Sequence, residues 1–448
     1  MGHYLPAEET LDHTALRALQ RRKLSAMLRD VLATNTFYRR KLKALDPGAE
    51  AGWVDAVTDS LDALPFTTRS ELQQDQIDHP PYGTNLTYPI ERYTRLHETS
   101  GSAGVPLRWL DTAASWTWWH RCWAIIYAAA GVTAADRFLF PFSFGPFIGF
   151  WGAFERAAAA GHLCLPAGGM STAARLRFMI DHGITVVCCT PTYALRMAHV
   201  AAQEGIDLRP TAVRALIVAG EPGGSIPATR ARLEDAWGAR VFDHTGMTEA
   251  GPLGFACDAA PGGVHLCESE CIAEVIDPDS GEPVADGRCG ELVVTNLGRW
   301  GSPVIRYRTG DRVCVTRRRC GCGRSFARME GGILGRFDDM FVVRGNNVFP
   351  AAIEGVIRTF VEIVEFRLTV TGDRGMAELR IDIEPEPGAT RESLAVDVQR
   401  AVRDRLGFRP AVETVPPGTL PRFEMKARRV VHRDAPDENT PPHGASAP

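Results

Sequence analysis

Ile305 to Pro350 carries three motifs in close order: IRYRTGDR over 305–312, CGCGR over 320–324 and GRFDDMFVVRGNNVFP over 335–350. In Tyr307-Arg308-Thr309-Gly310-Asp311, glycine lets the chain turn, and the carboxylate that follows is suited to accept two hydrogen bonds from a ribose diol. Gly335-Arg336-Phe337-Asp338-Asp339 reads as a junction between domains. Arg344-Gly345-Asn346-Asn347-Val348-Phe349-Pro350 reads as a tight turn leading into a helix.

Upstream of this stretch the pattern is α/β. Residues 10–75 read as mainly helical, with a firm helix at Leu16–Leu32 and capping-box spacing at Thr68-Arg69-Ser70-Glu71. Continuous apolar runs follow at 184–190, ended by Pro191, and at 215–219, ended by Gly220. A helix-like segment, Tyr193–Gln203, lies between them. Such runs separated by helices predict buried parallel strands. After about residue 260 shorter alternating strands predict a β-rich subdomain, at Ile272–Ile276, Gly290–Thr295 and Arg312–Thr316. Past Asp338, helices at Pro350–Phe360 and Ser393–Leu406 and strands at Glu365–Val370 and Ala377–Ile383 predict a small α+β domain. The division is therefore a large α/β domain over 1–337, a small domain over 338–433, and a disordered Pro-rich tail over 434–448.

Composition narrows the class. Fifty basic and 54 acidic residues give a formal charge of −4, and no lysine-rich run suggests nucleic-acid binding. The N-terminus lacks the apolar core of a signal peptide. Phe138–Phe154 is uncharged over 17 residues, but prolines and glycines break it, so a buried pocket wall is expected and no membrane span. Eleven cysteines without a secretion signal point to a reducing cytoplasm and not to a disulfide framework.

Three further segments look chemical. The loop Thr99-Ser100-Gly101-Ser102-Ala103-Gly104 offers hydroxyls and small residues to a polyphosphate, and no Lys-Ser/Thr follows as in a Walker loop. Gly220-Glu221-Pro222 follows a predicted strand, at the end where α/β sheets bind ligands. Asp243-His244-Thr245-Gly246-Met247-Thr248-Glu249 holds a carboxylate of the kind that binds magnesium.

Together with Lys426 these motifs, in this order over roughly residues 90 to 430, resemble the adenylate-forming enzymes, most closely the phenylacetate–CoA ligase branch. The resemblance implies that an aromatic acid is activated with ATP and Mg²⁺ and passed to coenzyme A. It implies that Thr99, Ser100, Gly101, Ser102, Gly104, Gly220, Glu221, Pro222, Asp243, Thr245, Asp311 and Arg336 bind the nucleotide. Glu249 would hold Mg²⁺, Thr248 would reach the α-phosphate, and Lys426 would be carried by a mobile C-terminal lid that turns about Asp338. Val105, Thr245 and Met425 depart from the family's usual lysine, aromatic and glycine. A carrier protein or an amine is the rival acceptor, a non-catalytic nucleotide-binding subunit the rival class, and a homodimer is allowed.

The acid pocket is expected from Phe142, Phe144, Phe147 and Ile148 facing Thr190 and Tyr193, with His244, Gly246 and Met247 beside it, since planar apolar walls suit an aromatic acid. Cys257, His265, Cys320 and Cys322 form a set that structural zinc favours, with Cys267 or Cys271 as substitutes.

Overall fold

Five short segments, Arg137–Phe140, Leu163–Pro166, Val186–Cys189, Ala215–Ala219 and Arg240–Met247, pair in parallel as the first half of one large sheet in the computed structural model. Their apolar runs are continuous because both faces are covered. Phe138, Phe140, Val186, Cys188, Ile217 and Phe242 feed one core. Leu139, Val187, Cys189, Leu216, Val218 and Val241 feed the other. Alternation along a strand sends successive side chains to opposite faces, so a strand buried on both sides must be apolar throughout.

At Arg240–Met247 the sheet changes from parallel to antiparallel. Gly251–Ala256, Gly263–Leu266, Arg328–Glu330, Tyr307–Thr316, Cys289–Asn296 and Cys271–Ile276 extend it, with Gly335–Arg336 beside Tyr307–Thr316, to twelve strands. The β-rich part expected after residue 260 is this antiparallel half. The structure describes all residues except 1, 44–53, 55–57, 59–60, 100–105, 344–345, 373–377, 390–392, 425 and 434–448. The tail predicted to be disordered and the turn at Arg344-Gly345 lie outside the described residues.

Two differences from expectation are local. Tyr307–Thr316 is one strand, so Asp311 does not follow a turn; Gly310, at φ 74°, lies where the pairing register slips between Glu291 and Val293. The glycine serves a bulge, which re-aims a side chain without ending the strand. Cys289 and Cys314 face each other across neighbouring strands and are disulfide-bonded, with Cα atoms 4.0 Å apart. One bridge is present where none was expected, and the other nine cysteines are free.

Helices cover the sheet. His13–Thr34 is capped by Asp12 and buries Leu24, Met27, Leu28 and Val31, the spacing of one helix face. Arg69–Asp78 begins with a complete capping box between Thr68 and Glu71, which fixes Arg69 as the first helical residue. Ala113–Ala129 buries Trp116, Trp119 and Trp123. Phe138–Phe154 is divided among a strand, a loop and the helix Trp151–Ala159, and among the described residues no helix is long and apolar enough to cross a membrane.

The chain divides into two units: Met1–Phe337 with Glu424–Lys426, and Asp338–Phe423 with Ala427–Pro448. The first break falls immediately before Asp338. In the second unit a four-stranded sheet runs Ala411–Thr414, Glu378–Pro385, Ile363–Thr371, Val430–Arg433. The helices Pro350–Ile357 and Leu394–Leu406 contribute Ile353, Val356, Val398 and Val402 to its core.

Candidate active site

Two of the sequence motifs meet through one arginine, and a third reaches the same carboxylate. Arg69 donates from Nη1 to Glu249 Oε1 at 2.8 Å and from Nη2 to Thr99 Oγ1 at 3.1 Å. Tyr307, from the strand that carries Asp311, directs its hydroxyl to the same Glu249 oxygen at 3.5 Å. Glu249 is buried and faces a cation and a hydroxyl, so its charge is compensated and its orientation set. It is a hard oxygen donor of the kind magnesium prefers. Thr99 is anchored again by the Leu107 N–H, 2.9 Å from its Oγ1. Ser100, Gly101, Ser102 and Gly104 lie outside the described residues.

The loop that holds Thr248 and Glu249 is fixed from beneath. Arg299, fully buried, pairs with Asp111, Nε to Oδ1 at 2.7 Å and Nη2 to Oδ2 at 2.5 Å. Its Nη1 donates to the carbonyls of Thr248 and Glu249. A buried guanidinium paired this completely is a rigid support, and removing either partner would strand a charge in the interior. Asp311, also buried, accepts from Arg336 Nη1 at 3.1 Å, so the two residues expected at the ribose and phosphates are neighbours.

The carboxyl ends of the parallel strands supply the other wall. Gly220 follows Ala215–Ala219 with φ 98°, and a side-chain carbon placed on it would lie 3.6 Å from Thr190 Cγ2 and 3.3 Å from Lys426 Cε. Lys426 thus belongs to the first unit and lies beside the strand end predicted to hold the nucleotide. Glu221 accepts from the Thr192 N–H at 2.9 Å, while Pro222 is exposed. Thr190 caps the helix Pro191–Gln203.

Several expected contacts are differently engaged. Asp243 accepts from Ser225 Oγ at 2.5 Å, and burial raises its pKa to about 6; its carboxyl serves the interior. Thr245 is likewise buried. Tyr193 packs in the core on the sheet face opposite Phe142, its hydroxyl held by Thr172 at 3.1 Å and by Arg175. It does not face the Phe142 wall, because residue 193 lies on the helix covering the other face. Phe147 is 39% exposed and is not part of the buried cluster. That wall is formed by Phe142 and Ile148 with Phe144 and Phe150, where Phe142 meets Phe144 and Phe150 edge-on at 5.3 and 5.9 Å. His244 packs against Trp123 with ring centroids 4.5 Å apart; Gly246 is exposed and Met247 half-buried.

The cysteine cluster is compact. Cys257 Sγ lies 3.5 Å from both His265 Nε2 and Cys320 Sγ, and Cys322 Sγ lies 3.5 Å from His265 Nε2. The four ligand atoms are within 4.8 Å of one another, and the 3.5 Å separations among them are those of ligands around a tetrahedral ion with bonds of about 2.0–2.3 Å. His265 Nδ1 donates to the Phe326 carbonyl at 3.0 Å, which leaves Nε2 with its lone pair toward the thiols. The Cys257 and His265 contacts pull the Cys322 thiol well below its usual pKa, while Cys257 is pushed up. Cys267 and Cys271 are outside this group; the Cys271 thiol bonds the Cys267 carbonyl.

Sequence reasoning missed Arg69, Arg299 and Trp123. Arg69 is legible only as part of a capping box, and nothing in the spacing of Arg299 or Trp123 marks them.

The profile of AMP-binding enzymes matches residues 14–298, and that of the AMP-binding enzyme C-terminal domain matches 345–434. The chain is 32% identical to a phenylacetate-coenzyme A ligase of Thermus thermophilus, covering 96% of this chain and 99% of that protein. It is 30% identical to one from Escherichia coli, covering 94% and 96%. A crystal structure of 2-hydroxyisobutyryl-CoA ligase in the postadenylation state superposes with a TM-score of 0.89 at 28% identity, covering 96% of this chain and 92% of that one.

Proposed function

The chain belongs to the AMP-binding enzyme family, and we propose that it is an AMP-forming acid–CoA ligase acting on an aromatic carboxylic acid. The acid's carboxylate attacks the α-phosphorus of ATP, the bond to the β-phosphate oxygen breaks, and pyrophosphate leaves. The thiol of coenzyme A then attacks the acyl carbon, loses its proton, and expels AMP.

The observation that carries this reading is the junction at Arg69, which ties Glu249 to Thr99 and so joins two motifs 150 positions apart in the chain. Glu249 would hold the magnesium ion that accompanies the nucleotide; the ion supplies positive charge to the phosphate oxygens. Arg69 orients Glu249 through the hydrogen bond from its Nη1. Lys426 stabilises the charge that develops on the α-phosphate oxygens, a role in which a positioned cation is worth on the order of 3–4 kcal/mol. Asp311 accepts from the ribose hydroxyls, with Arg336 beside it on the phosphate side. Thr248 adds a hydroxyl at the α-phosphate, and Gly220 with Glu221 borders the base. Asp338 is the hinge of this reading.

The ring of the acid lies against Phe142, Phe144, Ile148 and Phe150, which pack into an apolar wall. Cys257, His265, Cys320 and Cys322 would hold a structural zinc ion that clamps the strand Gly263–Leu266 to the loop that follows Tyr307–Thr316. Nine free cysteines support a cytoplasmic enzyme. A carrier-protein acceptor and a homodimer are further expectations, decided by product analysis and light scattering.

The test is pyrophosphate release across a panel of aryl acids, with and without coenzyme A. Release coupled to thioester supports the reading. Release without thioester assigns another acceptor, and no release with any acid contradicts turnover.

A further inference from the structure

Glu424 lies two positions before Lys426, and its carboxylate has a partner that the adenylation chemistry itself does not use. Its Oε2 accepts from Arg175 Nη1 at 3.2 Å. The arginine side chain is 3% exposed and the glutamate 59%, so the pair joins a buried cation to a surface anion. Glu424 and Lys426 both group with the first unit, and the contact lies within that unit.

Arg175 is held by its own surroundings. It lies on the helix Thr172–Asp181, its Nε donates to the Ala167 carbonyl at 2.8 Å, and its Nη1 also donates to the Tyr193 hydroxyl. The guanidinium stands 5.1 Å from the centre of the Tyr193 ring. These neutral partners take up donors but bring no opposite charge, and a buried cation calls for one. Among the described residues Glu424 is the carboxylate that pairs with it. Tyr193 is itself fixed, because its backbone N–H donates to Thr190 Oγ1 at 3.1 Å in the cap of the helix Pro191–Gln203. Thr190 in turn borders the lysine: its Cγ2 and Lys426 Cε lie 3.6 and 3.3 Å from the point where a side chain on Gly220 would begin. One helix start thus supports both ends of the Glu424-to-Lys426 stretch, at Glu424 through Tyr193 and Arg175 and at Lys426 through Thr190.

We propose that Arg175 is a positioning residue for Lys426: by holding Glu424 it fixes the segment that carries the lysine beside the strand end at Gly220. This rests on the adenylation role assigned to Lys426 above. A lysine is a point charge on a flexible stem, so its ammonium stays in place only if the backbone beneath it is held. Glu424 and Arg175 touch no reacting atom in this scheme and act through Lys426 alone.

The test measures both half-reactions on Glu424→Gln, Glu424→Asp and Lys426→Ala, and on Glu424→Gln combined with Lys426→Ala. Glu424 is the exposed partner, so its substitution removes the pair without opening the core. Glu424→Gln should slow pyrophosphate release from ATP and acid by about three- to tenfold, somewhat above the cost of losing a fully exposed pair. Thioester formation from supplied acyl-adenylate and coenzyme A should be unchanged. Glu424→Asp, which keeps the charge, should recover part of the loss. With Lys426 already replaced by alanine, Glu424→Gln should have no further effect, because residues that act through one group are not additive. Full-rate pyrophosphate release in Glu424→Gln, equal loss of both half-reactions, or the same loss in the Lys426→Ala background would each overturn the positioning role and leave the Lys426 reading intact. Undiminished release in Lys426→Ala itself overturns both.

Discussion

Arg69 Nη1 stands 2.8 Å from Glu249 Oε1, and this contact joins the first helical residue after a capping box to the carboxylate of the HTGMTE motif. The box between Thr68 and Glu71 sets where the helix begins, so a local capping preference positions a group against the carboxylate proposed to serve the nucleotide. Arg69→Ala should lower kcat/KM for adenylation by about 10–100-fold, the usual cost of losing a partner that orients a metal ligand. Arg69→Lys should recover part of this, because a lysine keeps the charge but cannot reach both Glu249 and Thr99 with a planar fork. Equal activity in all three proteins would contradict the role.

Metal content is the second prediction. Protein purified without chelator should contain about one zinc per chain, as a four-ligand structural site requires. Cys320→Ser should lose the zinc and lower the thermal midpoint. Folded, active protein free of zinc would remove the metal assignment.

Two buried histidines predict a pH effect on stability. Burial lowers the pKa values of His97 and His244 to about 4, below the free value of about 6.5. Between those values the unfolded chain binds more protons, so their stabilisation is complete above pH 6.5 and is lost as pH falls toward 4. Each contributes a slope of up to about 1.4 kcal/mol per pH unit within that window. Asp243 acts in the opposite sense. Its pKa is raised to about 6 by burial, so its contribution is present below the free value of about 3.9 and is lost as pH rises through 6. Urea unfolding from pH 4 to 7 should show a flatter acid limb in His97→Gln and a steeper one in Asp243→Asn. Parallel curves for all three proteins would contradict the assignment.

The fold was largely legible because both-face burial leaves an unmistakable apolar run, as at Val186–Cys189 and Ala215–Ala219. The grouping of Cys257, His265, Cys320 and Cys322 was legible from residue type and local spacing, although 63 positions separate Cys257 from Cys320. What could not be read was which face a residue takes when helices cover both sides of a sheet: Tyr193 is placed by its helix, not by its neighbours in sequence. Arg299 was hidden for a related reason. Its partner Asp111 is 188 positions away, and a lone arginine carries no mark of burial. The Gly310 bulge was read as a turn because a single glycine signals either, and only the partner strand distinguishes them.

Lys426 allows the most direct test of the central claim, which is that this chain makes an acyl-adenylate before it makes a thioester. Both half-reactions should be measured on Lys426→Ala: pyrophosphate release from ATP and acid, and thioester formation from supplied acyl-adenylate and coenzyme A. The account predicts a fall of roughly 10²–10³-fold in the first with the second largely retained. Equal loss of both, or an unaffected first step, would contradict it.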